Sequence, residues 1–65
     1  MHLLVNGTAH DVRATTLSQA LEALGYRQAI VATALNGSFV PADRRHATVL
    51  ADGDALEILA PMQGG

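Results

Sequence analysis

The chain has 65 residues, a formal net charge of −2, no cysteine and no lysine; at this length it is one domain, burying only about 60% of its unfolded surface. So small a body has little room for a ligand cavity of roughly 300 Å³, which argues against a self-contained enzyme, and its charge gives no basic footprint for nucleic acid. There is no disulfide framework, no apolar run near the ~18 residues of a membrane span and no secretory signal pattern, so a cytoplasmic protein without membrane or nucleic-acid partners is expected.

Met1-His2-Leu3-Leu4-Val5 is a short apolar run, followed by Asn6-Gly7 and then Thr8 to Arg13. Asn-Gly between two such runs predicts a hairpin, because a type I′ turn needs φ > 0 at both central residues. A two-residue loop pairs Val5 with Thr8, Leu3 with His10 and Met1 with Val12. That set is the more apolar and is assigned to the core, with His10 near the open edge. His2, Leu4, Ala9 and Asp11 then take the other face.

Thr16 as N-cap with Gln19 three residues later is a capping box, which predicts a helix start. Leu17, Ala20, Leu21 and Leu24 fall at i, i+3, i+4 and i+7, one helical stripe, and Gly25 suits the position after the C-cap. A helix of about ten residues cannot stand alone, so the stripe must pack on a sheet.

Ile30 to Leu35 is a β-compatible run ending in a second Asn-Gly, Asn36-Gly37, with Ser38-Phe39-Val40 beyond it and Pro41 as the stop. Its facing is ambiguous, since alanines alternate with Thr33 and Leu35. Ala42 to Ala51 reads as a solvated turn or short helical stretch around Asp43-Arg44-Arg45-His46, with Val49 and Leu50 returning to the core. Asp52-Gly53-Asp54 is a turn. Ala55 to Ala60 is the last strand, with Leu56 and Ile58 on one face and Ala55, Glu57 and Leu59 on the other. The order β-β-α-β-β, an irregular segment, then β predicts an α+β fold: a mixed sheet with one main helix packed across it.

The body is expected over residues 1–60 and a flexible C-terminal tail over 61–65. Pro61 lacks an N–H and has a fixed φ, which should end strand pairing and release Met62-Gln63-Gly64-Gly65. Fully extended, Met62 to Gly65 could reach roughly 13 Å. A terminal Gly-Gly has no side chains and can enter a channel too narrow for any other dipeptide.

No side-chain set carries chemistry above structural background. His2, His10 and His46 have no metal-ligand spacing. Asp52-Gly53-Asp54 lacks the remaining ligands of a calcium loop. Ser18 and Ser38 have no triad partners. No metal and no bound cofactor are expected. The remaining reactive group is the Gly65 carboxylate, a poor electrophile until it is converted to an activated acyl group. Activation consumes ATP and needs phosphate-binding machinery this chain lacks, so the protein is expected to be the substrate of a larger enzyme.

The opening strand into Asn6-Gly7, Thr16-x-x-Gln19-x-Leu21, Ala34-Leu35-Asn36-Gly37 with Val40-Pro41, Gly53-Asp54-Ala55-Leu56-Glu57-Ile58 and terminal Gly64-Gly65 together resemble the ThiS family. These are the sulfur carriers of thiamine biosynthesis, small ubiquitin-like β-grasp proteins. The resemblance spans essentially the whole chain. One departure is Pro61-Met62-Gln63, where a third glycine is common in the family; a proline here also resembles the usually longer small subunit of molybdopterin synthase.

The resemblance implies that an E1-like, ThiF-type enzyme adenylates Gly65 using ATP. A cysteine desulfurase or sulfurtransferase persulfide then supplies sulfur to form a C-terminal thiocarboxylate, and a ThiG-type thiazole synthase receives it. It also implies a first strand parallel to and beside the last, which would put Leu4 near Leu59. Leu59, Leu4 and Glu57 are therefore the expected partner-binding residues, with Gly64, Gln63 and Met62 presenting Gly65. Alternatives remain: a carrier for molybdopterin synthesis or tRNA thiolation, a protein modifier, or a plain interaction domain. Without lysine, the chain cannot build lysine-linked chains on itself.

Overall fold

The computed structural model describes residues 1–26 and 30–60. Strands β1 (His2–Val5) and β2 (Thr8–Asp11) precede helix α1 (Leu17–Ala23). Then come β3 (Ala32–Leu35), β4 (Ser38–Val40), a 3₁₀ helix (Ala42–Ala47) and β5 (Ala55–Leu59). The sheet order is β2-β1-β5-β3-β4. β5 therefore lies at the centre, parallel to β1 and antiparallel to β3.

Both hairpins form as their Asn-Gly pairs require. Asn6 and Gly7 have φ of 51° and 84°, and Asn36 and Gly37 have 50° and 85°, the left-handed backbone of a type I′ turn. In the first hairpin Val5 lies opposite Thr8 and Leu3 opposite His10, and the Val12 N–H donates to the Met1 carbonyl at 2.9 Å. Leu3, Val5 and Val12 are buried, and His10 is exposed on the edge strand.

The helix starts at the capping box. Thr16 Oγ1 accepts from the Gln19 N–H at 3.3 Å, and Gln19 Oε1 accepts from the N–H groups of Thr16 and Thr15 at 3.2 and 2.7 Å. Those bonds satisfy donors a helix start would otherwise leave bare. The helix is seven residues long, shorter than its stripe suggests: Leu24 is the C-cap and Gly25, at φ 94°, ends it. Leu17, Ala20 and Leu21 are buried and Leu24 packs against them. Beneath the stripe lie Leu3 and Val5 of β1, Leu56 and Ile58 of β5, and Val40 of β4.

The ambiguous strand resolves with Val31 and Thr33 inward. Thr33 is 1% exposed, the buried polar residue of this core. Its hydroxyl donates to the Val40 carbonyl at 2.9 Å and accepts from Arg45 Nε at 3.1 Å. Arg45 Nη2 also donates to the Val31 carbonyl at 2.6 Å, so the 3₁₀ helix is tied to the start of β3. Burial of a polar side chain is tolerated where its bonds are made.

One apolar residue departs from its expected place. Val49 is 69% exposed although Leu50 is buried. An isolated antiparallel bridge between Thr16 and Val49 makes this segment extended. Side chains alternate along extended backbone, so only one of the two neighbours can point inward. Ile30 is 81% exposed for the same reason, since Val31 takes the inward position.

The Asp52-Gly53-Asp54 turn is pinned from two sides. The His2 N–H donates to Asp52 Oδ1 at 2.6 Å and the Gly53 N–H to the His2 carbonyl at 2.7 Å. The Asp54 carboxylate accepts from Asn36 Nδ2 at 3.0 Å and from the Ala51 N–H at 2.8 Å. The Asn36 bond first, and the Ala51 bond second, hold the Asp54 carboxyl below its usual pKa, because both favour the charged form.

Two outcomes are expected from these contacts. Thr33→Val keeps the shape but leaves Arg45 Nε without its acceptor and removes the hydroxyl's bond to the Val40 carbonyl, and should lower unfolding free energy by about 1–3 kcal/mol in chemical denaturation. Asn36→Gly keeps the turn and removes the donor, so the Asp54 carboxyl should titrate higher, as read by NMR of its side-chain carbon. With a depressed folded pKa, the stabilisation from Asp54 is present above the ordinary carboxylate pKa and is lost as pH falls through the folded value. Asn36→Gly should shrink that acid-side loss.

Candidate functional site

The expected reactive end, Gly65 with Gly64, Gln63 and Met62, lies outside the described residues, as do Pro61 and the expected flexibility of residues 61–65. What the structure defines is the base from which that segment departs. Ala60 follows directly from β5, the central strand. On one side Leu59 lies opposite Ala32 of β3. On the other, the β1 ladder runs only through Leu4–Ala55 and Val5–Leu56, because the chain turns away at Asn6. There the Asn6 side chain takes over. Its Nδ2 donates to the Ile58 carbonyl at 3.1 Å, and its Oδ1 accepts from the Ile58 N–H at 2.8 Å. A central strand held from both sides is a fixed mount for whatever follows it.

The outer face of the sheet is opposite the helix. Leu56 and Ile58 are buried under the helix, whereas Glu57 and Leu59 are exposed, as the alternation predicts. Leu4 also faces outward, 44% exposed. The expected proximity of Leu4 to Leu59 does not occur. Leu4 is registered with Ala55, four residues before Leu59, which is roughly 13 Å away along the strand. The parallel pairing places the start of β5, not its end, beside β1's middle. The neighbours of Leu59 are on the opposite flank. Ile30, Val31, Ala32, Leu59 and Ala60 line a shallow depression of about 340 Å³ beside the end of β5. Ile30 and Leu59 are its prominent side chains, 81% and 68% exposed.

Sequence reasoning missed Ile30 and Ala32. The signal was the Ile30-Val31-Ala32-Thr33 alternation, which a threonine at the inward position disguises. Phe39, opposite Ala34 on the edge hairpin, adds a further exposed apolar side chain at 69%. Among the described residues no group of three His, Cys, Asp or Glu could hold a metal ion. No described helix is long and apolar enough to cross a membrane.

A mixed five-stranded sheet with its last strand inserted between the first and third, and one helix across a single face, is a ubiquitin-like β-grasp domain. The sequence model of the ThiS family matches residues 3–65, and the chain belongs to that family. The crystal structure of the thiamine biosynthesis protein ThiS from Geobacter metallireducens is similar with a TM-score of 0.83 and 38% identity, over 100% of both chains. The NMR solution structure of a thiamine biosynthesis protein from the same organism gives a TM-score of 0.80 and 36% identity, over 100% of this chain and 88% of that one. No curated protein matches the sequence.

The outward orientation of Leu59 has a direct test. Leu59→Asp places a charge on the solvent side and leaves the core untouched, so its thermal midpoint should stay close to wild type. Leu56→Asp, at a position with no exposure, should fail to fold, because an unpaired charge cannot be buried there. Both are read by circular dichroism melts.

Proposed function

We propose that this protein is a sulfur carrier for the thiazole of thiamine, acting as a co-substrate and not as an enzyme. The reading is supported by membership of the ThiS family together with a Gly64-Gly65 end that follows the central strand. The chemistry begins at the Gly65 carboxylate. A carboxylate oxygen attacks the α-phosphorus of ATP on an E1-like activating enzyme, pyrophosphate leaves, and an acyl-adenylate results. The terminal sulfur of a persulfide then attacks the acyl carbon and expels AMP. A thiol attacks the cysteine sulfur of the resulting acyl disulfide and forms a new disulfide with it, releasing the thiocarboxylate, which keeps the persulfide's terminal sulfur. Thiazole synthase draws its sulfur from there. ATP is bound by the activating enzyme, and this chain supplies position.

Position is a question of docking. Leu59 and Glu57 on the outer face, with Ile30 and Ala32 beside Leu59, form the patch nearest the base of the tail. Leu4 extends the same face from the start of β5. The activating enzyme grips Leu59 and Ile30 and so aims the tail at its ATP site. An exposed apolar anchor of this kind typically costs on the order of 2 kcal/mol when truncated.

The decisive experiment is intact mass after incubation with ATP, the activating enzyme and a sulfur donor, which should show replacement of one oxygen by sulfur at Gly65. Deleting Gly65, or adding one alanine after it, should abolish ATP–pyrophosphate exchange while the circular dichroism spectrum is unchanged. Wild-type exchange in either variant overturns the assignment. Leu59→Asp should lose most of its binding to the activating enzyme in titration calorimetry while keeping its thermal midpoint.

A further inference from the structure

The two Asn-Gly turns are alike in sequence and backbone, yet their side chains hold opposite ends of the same strand. Asn36 holds the start of β5: its Oδ1 accepts from the Ala55 N–H at 2.9 Å and its Nδ2 donates to Asp54. Asn6 holds the end of β5, bonding both backbone groups of Ile58, two residues before Ala60. The Asn6 N–H also donates to the Leu56 carbonyl at 2.9 Å. The Asn6 amide thus extends the β1–β5 ladder by one more step after the backbone of β1 has turned away. In a straight parallel β1 the Asn6 carbonyl would accept from the Ile58 N–H and the N–H two residues on would donate to the Ile58 carbonyl; here the side-chain amide supplies both.

Resting on the carrier reading, we propose that Asn6 is a positioning residue for activation of the C-terminal carboxylate. It acts through Ile58 and touches neither ATP nor the reacting carbon. Ile58 and Leu59 are the last strand positions before the tail, and each is fixed from a different side: Ile58 by Asn6, Leu59 by pairing with Ala32. With the Asn6 side freed, β5 pivots on its β3 edge and the direction of the tail spreads. The docking patch stays intact because Leu59 keeps its partner. Loss of Asn6 therefore acts on alignment and not on capture, and misplacement of a reacting group by about 1 Å can cost up to 10²-fold in rate.

The test is a matched pair, Asn6→Gly and Asn36→Gly. Glycine keeps the positive φ of each turn and removes only the side-chain bonds. ATP–pyrophosphate exchange is measured with the activating enzyme well below either variant's melting midpoint. For Asn6→Gly, kcat should fall about tenfold or more while KM for the carrier stays within about twofold. Asn36→Gly should keep wild-type kcat. The Ile58 amide should exchange at least about tenfold faster in Asn6→Gly and unchanged in Asn36→Gly. Asn6→Asp, which tolerates the same φ and retains the acceptor for the Ile58 N–H, should lie between wild type and glycine and serves if Asn6→Gly does not fold. Wild-type kcat in Asn6→Gly, or an equal loss in both glycine variants, overturns the positioning role and leaves the carrier reading standing. A wild-type protein that supports no exchange overturns the carrier reading, and this role with it.

Discussion

Everything in this domain depends on the chain's last strand being its middle one. β5 makes its full set of pairs only when β1 and β3 are both in place, and its Leu56 and Ile58 complete the core between them. The contacts that close the fold join residues about as far apart in sequence as the chain allows: Leu4 with Ala55, Asn6 with Ile58. Such pairing bears its loop-closure cost before the contacts form, which is why β topologies of this kind fold more slowly than local ones. In return, the segment after Leu59 follows the central strand of the sheet, which is paired on both sides. An edge strand or a helix end would fray at its terminus and could not set a direction.

The same topology explains the alanines. A single helix covers one face of a five-stranded sheet, and none of the described elements covers the other. Ala9, Ala32, Ala34 and Ala55 occupy that outer face, between the larger Leu4, Phe39 and Leu59. Small side chains keep it flat and limit the apolar area offered to water, whereas a run of leucines here would promote self-association. The sheet edges are guarded in a related way. β2 presents Thr8, His10 and Asp11, and β4 is three residues long with Pro41 directly after it. Short, polar and proline-terminated edges resist adding another strand.

Local rules were legible wherever local chemistry decides. The Asn-Gly turns need positive φ, so their registers followed from sequence alone, down to Leu3 opposite His10. Thr16 and Gln19 made the capping box that their spacing promised. Leu56 and Ile58 fell on the inner face as alternation required. What sequence could not supply was register between strands far apart in the chain. The parity of Leu4 and Leu59 was correct, both outward, but nothing local fixes how far β1 slides along β5. Hydrogen bonds such as Leu4 N–H to the Asp54 carbonyl at 2.9 Å fix it. The facing of β3 was hidden by alanines on one side and by Thr33 on the other. A threonine reads as polar until Arg45 and the Val40 carbonyl are seen to satisfy it. The misplaced register and the open facing of β3 bear on the same feature: the apolar neighbours of Leu59 lie on the Ile30–Ala32 flank and not on β1.

Composition and topology also bear on the hazard of carrying an activated acyl group. On the carrier reading, the Gly65 adenylate is an electrophile attached to a chain that could attack it. The chain has no lysine and no cysteine, so the strongest side-chain nucleophiles are missing throughout. The remaining amine is that of Met1, and it is engaged: the ammonium lies 3.2 Å from Asp11 Oδ1 and 3.0 Å from the Val12 carbonyl. The parallel pairing of β1 and β5 adds distance to chemistry. Met1 precedes Leu4 by three residues and Leu59 follows Ala55 by four, in opposite directions along the sheet, so roughly 23 Å of strand separates them. The six residues after Leu59 span roughly 20 Å when fully extended. To approach Met1 that segment would have to double straight back along the sheet at nearly full extension, so the parallel pairing of β1 and β5 works against self-attack.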